Sequence, residues 1–302
     1  MLEFWIPITV AAAFLQNMRS ALQKHLKGRL TTLGAAYVRF SHSWPFSVFY
    51  VWALYQWGDM ALPDPNGMFL LYSVLGGISQ IIFTVLLLWL FSFHNFTVGT
   101  TFSKTEIIQV ALLGFLILGD TLTIGAGIAI FVAVAGVMVM SAAQSKITVR
   151  TLLSSLTEKP TLIGLTCGAF LGMSVVFFRG SALALGYDGI VMAAAFTLAV
   201  SVVIQTIIMG IYIAIKEPQT LIDIFVHWRW TIATGLVGTL TSIGWFTAFT
   251  MQNGAYVRAL GQIELVFTFI ASVFFFREKT NKGEVTGILL VISAILILIL
   301  GR

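Results

Sequence analysis

The sequence predicts an all-α integral membrane protein of ten transmembrane helices, built as two inverted five-helix repeats. Three observations predict this fold: an apolar composition, ten segments long enough to cross a bilayer, and one acid-containing pattern that occurs in each half. The chain is 58% hydrophobic and 10% charged, with a mean hydropathy of +0.97. A soluble domain carries about 25% charged residues, so a chain of this composition would aggregate in water.

Ten segments have the length and the composition of membrane spans. A span needs about 20 mainly apolar residues, because the hydrocarbon core is ~30 Å thick and a helix rises about 1.5 Å per residue. The segments are approximately 4–23, 33–57, 68–92, 96–118, 123–142, 161–183, 189–214, 230–251, 255–276 and 284–301. The longest polar insertion falls at the midpoint. The predicted domains are therefore a first repeat at 1–143, a linker at 144–160 and a second repeat at 161–302.

A sequence pattern repeats between residues 95–120 and 253–278. Three pairs of residues, each 158 positions apart, define the repeat: Asn95 and Asn253, Glu106 and Glu264, and Asp120 and Glu278. Gly125 and Gly283 continue the same register. A duplicated apolar unit with a matched acid in each copy is typical of internally symmetric transporters.

The loops carry a charge bias that predicts inversion. A repeat with an odd number of spans enters the bilayer in the opposite sense from its copy, so equivalent loops face opposite sides. Eleven basic residues sort to one face: Lys24, Lys27, Arg29, Lys146, Arg150, Lys159, Lys216, Arg229, Arg277, Lys279 and Lys282. The other face has Arg302, with Arg179 and Arg258 near helix ends. Positive charge favours the cytoplasm, which predicts that both termini lie outside.

Two acids within apolar spans are the main candidate site residues. Glu106 lies nine residues past Thr97 and Glu264 nine residues past Ala255, each ~14 Å along its helix and near the bilayer midplane. An ionised carboxylate facing lipid is unfavourable, so each acid faces a cavity, bonds to a neighbour or is protonated. We predict a role in proton coupling or substrate binding. The alternative is a neutral acid that is hydrogen-bonded between helices.

Weaker candidates for substrate binding surround these acids. They are Arg39, His42, Trp89, Lys104, Gln109, Trp245, Arg258 and Gln262. Arg39 and His42 share a helix face and could bind an anionic group, although Arg39 could equally extend to the membrane interface. Lys104 and Glu106 lie about 200° apart on a helix, so they are not expected to pair. Trp89 and Trp245 lie deeper than the tryptophans near helix ends, which an interfacial belt explains.

The sequence has no motif for catalysis, nucleotide binding or metal binding. It has no HExxH, Walker A or G-x-S-x-G pattern, and its four histidines and single Cys167 do not cluster. Its Lys and Arg residues are confined to loops, without the interleaved aromatics of a nucleic-acid surface. We therefore expect no enzymatic activity, no cofactor, no metal and no nucleic-acid partner.

The two repeat motifs resemble the EamA-type drug/metabolite transporter superfamily. The stretches that carry the resemblance are TEIIQVALLGFLILGDTL at 105–122 and ELVFTFIASVFFFREKT at 264–280. The resemblance implies a cavity enclosed by helices 1–4 and 6–9, with helices 5 and 10 behind it. It implies export or exchange of small metabolites such as amino acids, often coupled to protons. It also implies cytoplasmic termini, which is opposite to the charge bias.

The sequence departs from this family at two matched places. Many members have a proline early in helices 4 and 9, where this chain has Lys104-Thr105-Glu106 and Gln262-Ile263-Glu264. This departure favours a charged cavity.

We therefore expect a secondary active transporter, an exporter or exchanger of a small polar or amphipathic metabolite such as an amino acid. It would work by alternating access in a bacterial cytoplasmic (inner) membrane. The expected partners are the small-molecule substrate, the lipid bilayer and protons as the coupling ion. The alternative is a passive facilitator or channel for small solutes. A membrane-embedded enzyme would instead need acids or histidines clustered at one interface.

Overall fold

The computed structural model describes residues 3–26, 29–90, 96–144, 157–274 and 280–301, together with Phe93, Ser155 and Arg277. Regular secondary structure in these ranges is entirely helical. Several positions used above lie outside the described residues: Asn95, Glu278, most of the linker 144–160, and the basic residues Lys27, Lys146, Arg150, Lys279 and Arg302.

The first half of the chain forms helices α1 to α7. Their bounds are α1 Trp5–Leu26, α2 Thr32–Ser41, α3 Ser43–Trp57, α4 Gly67–Leu90, α5 Phe96–Ser103, α6 Glu106–Leu118 and α7 Ile124–Gln144. The second half forms α8 to α14. Their bounds are α8 Lys159–Ala184, α9 Ile190–Lys216, α10 Pro218–Val226, α11 Trp228–Met251, α12 Gly254–Gly261, α13 Ile263–Phe274 and α14 Lys282–Leu300.

Eight helical stretches of the described chain are long and apolar enough to cross a membrane. Two of them, Val98–Leu118 and Gly254–Phe274, combine a pair of shorter helices. Helix α1 has the length of a span but includes Gln16, Asn17 and Arg19, which lower its hydropathy. Helices α2 and α3 are each too short to span alone. The chain is thus a helical membrane protein, and the count of ten spans stays a prediction.

Three spans predicted to be continuous are broken. The predicted helix 33–57 divides into α2 and α3 at His42, the helix 96–118 divides at Lys104 and Thr105, and the helix 255–276 divides at Gln262. The predicted spans 96–118 and 255–276 still correspond to stretches long and apolar enough to cross a membrane. The sequence did not predict the breaks, because His42, Lys104, Thr105 and Gln262 do not disfavour a helix as proline or glycine does. The predicted connection after α9 also contains a helix, α10, which begins at Pro218 as the first helical position allows.

One compact unit consists of residues 1–81 and 177–252. In this unit α1 packs along α11, and α9 packs against α2, α3 and α11. A Cβ added to Gly244 would lie 2.8 Å from the Ala12 Cβ, and one added to Gly238 would lie 3.7 Å from the Arg19 Cδ. Residues later in α1 lie against residues earlier in α11, so these two helices are antiparallel. Glycine on α11 lets them approach closely.

The other compact unit consists of residues 82–176 and 253–302. Its main contact joins α7 to α14, which are the last helices of the two predicted repeats. Gly125 at the start of α7 lies against Gly301 beyond the end of α14, and Gly136 lies against Gly287. These contacts make α7 and α14 antiparallel, as inverted copies require. Each compact unit includes residues of both halves, so a packing unit differs from a predicted repeat.

Candidate functional site

Two helix breaks lie at matched positions of the repeat. Lys104 and Gln262 are 158 positions apart, and each stands at a break. At the first break the Lys104 amide donates to the Thr101 carbonyl at 3.2 Å, and at the second the Gln262 amide donates to the Ala259 carbonyl at 3.3 Å. Both bonds span three residues instead of four, which tightens the last turn of α5 and of α12. The backbone therefore shows the same repeat as the sequence, with a helix break at the matched position of each copy.

The breaks place both candidate acids at helix starts. Glu106 is the first residue of α6, and Glu264 lies in the first turn of α13. Each acid still lies near the middle of its span, Val98–Leu118 or Gly254–Phe274, and a break in the helix precedes it. The N-terminus of a helix carries partial positive charge, which stabilises a carboxylate there. Arg258 lies in the last turn of α12, where the opposite partial charge stabilises a cation.

A buried ion pair joins the two broken helices. The Arg258 guanidinium donates through Nη2 to the Glu106 carboxylate at Oε1. The Arg258 side chain is 11% exposed and the Glu106 side chain 3% exposed. Removing two charges from water costs several kcal/mol per ion, roughly, unless the pair is well bonded. Val110 on α6 also contacts Gly254 on α12, so these helices run antiparallel.

A second, looser ion pair joins the break between α5 and α6 to the first turn of α13. The Lys104 Nζ lies 3.9 Å from the Glu264 Oε1, and these side chains are 41% and 13% exposed. Thus the acid of each half pairs with a base of the other half. The four side chains carry no net charge together. Of the two acids, Glu264 has the more exposed side chain.

Two buried amide side chains border the ion pairs. The Gln109 Nε2 donates to the Leu165 carbonyl at 3.3 Å and to Thr105 Oγ1 at 3.4 Å. The Gln262 Nε2 donates to the Arg258 carbonyl at 3.3 Å. Within the described residues, the Oε1 atoms of both glutamines are buried without a hydrogen-bond donor. Each is an acceptor that an N–H or O–H group of a substrate would satisfy.

Helix α8 packs closely against the first break through a row of glycines. A Cβ on Gly164 would overlap the Gly99 carbonyl of α5, and one on Gly168 would lie 2.9 Å from the Ser103 carbonyl. Gly172 faces Val110 beyond the break. These glycines bring the α8 backbone within reach of Gln109. Sequence reasoning missed them, although their four-residue spacing is a known signal of close helix packing.

Four of the weaker candidates lie elsewhere in the chain. In the unit formed by 1–81 and 177–252, the buried Trp245 donates from Nε1 to Gln16 Oε1 at 2.9 Å. His42 lies 3.0 Å from Ser41 Oγ and 3.3 Å from Thr231 Oγ1. The Arg39 guanidinium lies 5.0 Å from the Phe40 ring. The structure does not bring these three residues into the group of ion pairs.

Trp89, on α4, is 54% exposed and packs against Phe93 at a ring distance of 5.7 Å. The sequence suggested that Trp89 could wall a substrate pocket, and this role stays a prediction.

Arg179 is a residue whose structural role the sequence did not reveal. Its Nη1 donates to the Phe249 carbonyl at 2.6 Å and to the Gln252 carbonyl at 2.7 Å. These acceptors belong to the C-terminal end of α11, where backbone carbonyls lack helical donors. Arg179 thus caps α11. A lone arginine late in a span gave no signal for this particular contact.

Comparison with known proteins agrees with this architecture. A solved crystal structure matches with a TM-score of 0.70 at 13% sequence identity, covering 99% of this chain and 98% of that chain, and shows the shared fold. No curated protein matches significantly. The model of the EamA-like transporter family matches residues 159–300, which include α8 to α14. By this match, the second half of the chain is similar to the EamA-like transporter family.

Proposed function

We propose that the protein is a secondary active transporter, an exporter or exchanger of a small polar or amphipathic metabolite such as an amino acid. It works by alternating access, coupled to protons, in a bacterial cytoplasmic membrane. The observation that carries this proposal is the reciprocal pair of salt bridges, Arg258 with Glu106 and Lys104 with Glu264, at two matched helix breaks. Broken helices within the membrane commonly supply the substrate sites of transporters.

Stability alone does not explain why four ionisable side chains lie inside apolar spans. Apolar residues of the same volume would pack at equal or lower free energy, because desolvation offsets most of the attraction between buried charges. Ionisable residues within membrane spans are rare and usually serve transport or proton transfer. The salt bridges therefore favour a role in transport over a purely structural role.

The charge balance favours a zwitterionic substrate. The formal charges of the two acids and the two bases sum to zero. A substrate without net charge can therefore replace one acid and one base as ion-pair partners. A substrate ammonium group would compete with Lys104 for Glu264, and a substrate carboxylate would compete for the basic side chains. The buried acceptors of Gln109 and Gln262 would receive further donors of the substrate. An amino acid satisfies each of these requirements.

The two acids are expected to act differently. Glu106 is tightly paired and almost fully buried, which suits a structural lock between α6 and α12. Glu264 is held less closely, so a proton can reach it and weaken its attraction for Lys104. We assign proton coupling to Glu264. Glu106 acts by holding the two broken helices together.

The proposal is tested with purified protein in liposomes. A thermal-shift screen with amino acids, amines, nucleosides and sugar phosphates first selects a substrate. Radiolabelled counterflow then measures exchange, and an imposed pH gradient measures coupling. We expect saturable counterflow and gradient-driven uptake. Linear, non-saturating flux without counterflow would identify a passive facilitator instead.

Two variants separate the roles of the acids. Glu264→Gln should abolish pH-driven transport while leaving membrane insertion intact, because its side chain no longer binds a proton. Glu106→Gln should be at least partly defective and should lower stability as well. Wild-type dependence on the pH gradient in the Glu264→Gln protein would rule out the coupling role.

A further inference from the structure

A second polar region lies between α4 and α9, in the unit formed by residues 1–81 and 177–252. The Gln205 Nε2 on α9 donates to the Gln80 Oε1 on α4 at 2.7 Å. A Cβ on Gly77, one turn before Gln80, would lie 3.4 Å from Gln205 Cγ and 4.0 Å from the Ser201 carbonyl. Because Ser201 and Gln205 are four residues apart, they share one helix face. This face of α9 is therefore directed toward α4.

The region extends along α4 to a pair of serines. Ser73 Oγ lies 2.6 Å from Ser181 Oγ of α8, and Ser181 also donates to the Phe69 carbonyl at 3.1 Å. Ser73 and Gln80 are seven residues apart, which places them on one face about 10 Å along the helix. We call Ser73, Gln80, Ser181, Ser201 and Gln205 the polar seam.

The seam includes a buried hydroxyl for which the described part of the chain provides no hydrogen-bond partner. Ser201 is fully buried, and no described group is within hydrogen-bond distance of its Oγ. Thr197, one turn earlier on α9, instead donates to the Ala193 carbonyl of its own helix at 2.7 Å. A buried hydroxyl without a hydrogen bond is unfavourable, so the Ser201 hydroxyl is available to a polar group of a bound solute.

The seam is polar without being charged. Helix α4 carries no Asp, Glu, Lys or Arg, and Lys216 at the very end of α9 is the single such residue of that helix. Interhelical hydrogen bonds in membranes contribute little net stability, so apolar packing would hold α4 and α9 together nearly as well. The seam offers neutral donors and acceptors, unlike the salt bridges of the other unit.

We propose that the polar seam is a water-accessible section of the transport route, where uncharged hydroxyl or amide groups of the solute bind. Ser201 Oγ and the exchangeable bond between Gln80 and Gln205 would supply the donors and acceptors. This inference rests on the proposed transport function. It assigns to the protein a second binding region, with a different chemistry from the ion pairs.

The single native cysteine allows a direct test by thiol labelling. In a Cys167→Ser background, Ser201→Cys and Gln205→Cys place a thiol in the seam, and Ser201→Cys nearly preserves volume. Ile207→Cys, on the same helix at a 55% exposed position, provides the lipid-facing control. The probe is the membrane-impermeant, positively charged reagent methanethiosulfonate ethyltrimethylammonium. It reacts with thiolates, which form in water and not in hydrocarbon.

We expect S201C and Q205C to react at least tenfold faster than I207C in proteoliposomes. If S201C and Q205C react as slowly as I207C, the seam is only a contact between helices and the inference is wrong. Labelling does not require flux, so it is read independently of transport. A protein that labels at the seam but shows no counterflow would refute the proposed function instead.

Discussion

Arg258 on α12 and Glu106 on α6 form a buried ion pair between residues that lie 152 positions apart in the chain. Each of these residues lies beside a break in its span, and the two breaks are matched in the repeat. The Lys104–Glu264 pair repeats the relationship with the charges exchanged. The two acids therefore occupy matched positions of the repeat, whereas the bases that pair with them do not. The position that matches Lys104 is Gln262, and the position that matches Arg258 is Thr100.

Arg258→Ala should destabilise the protein strongly, because it leaves the Glu106 carboxylate buried without its partner. Breaking a buried pair in this way costs about 3–5 kcal/mol. Thermal unfolding in detergent measures the loss. The double variant Arg258→Ala with Glu106→Leu should recover most of the stability, since it removes the uncompensated charge. Equal loss in the single and double variants would contradict this account.

Lys104→Ala should change substrate binding more than stability. The pair with Glu264 is long and half exposed, and such pairs contribute roughly 0–1 kcal/mol. Without the competing ammonium, an amine-containing substrate should reach Glu264 more easily, and its KM should fall several-fold. Counterflow kinetics give the KM. An unchanged KM with wild-type stability would show that Lys104 does not compete at this site.

Gly136→Ala should weaken the contact between α7 and α14. Its Cβ would lie 2.9 Å from the Gly287 carbonyl and from the Leu290 Cβ, so the helices must move apart. Such overpacking costs about 1–3 kcal/mol. Gly127→Ala, on the same helix, meets nothing within 4 Å and is the matched control. It should be neutral or slightly stabilising because alanine favours helix. Equal melting temperatures for both variants would refute the close packing.

Arg179→Ala should lower stability by about 1–3 kcal/mol, because two carbonyls at the end of α11 lose a charged donor. Arg229→Ala is the control, since Arg229 is exposed and such substitutions usually stay within about 0.5 kcal/mol. Unfolding in detergent compares the two. If Arg179→Ala is as mild as Arg229→Ala, the cap contributes little.

Composition and periodicity predicted much of the fold. Hydropathy located most helices to within a few residues; the segment predicted at 230–251 is α11, Trp228–Met251. The 158-residue repeat identified Glu106 and Glu264, and both lie in the ion-paired group. These features follow from local composition and from duplication, which a single sequence displays directly.

The sequence did not predict the helix breaks or the partners in the ion pairs. Thr105 and Gln262 are ordinary helix residues, and the interruption at each depends on tertiary contacts such as the Gln109 bond to Leu165. The partner of Glu106 depends on which helices meet, which hydropathy does not encode. The seam was missed for the same reason. Gln80 and Gln205 look like isolated polar residues until α4 and α9 are side by side.

The distance along the chain between Glu106 and Arg258 has a consequence for synthesis. At about 5–20 residues per second, roughly 8–30 s pass between translation of the acid and of its partner. During that interval the acid must stay hydrated near the insertion machinery or hold a proton. A fragment that ends at the linker lacks Arg258, the ion-pair partner of Glu106, so it should be a substrate for quality-control proteolysis. Final assembly of α6 waits until α12 has emerged from the ribosome.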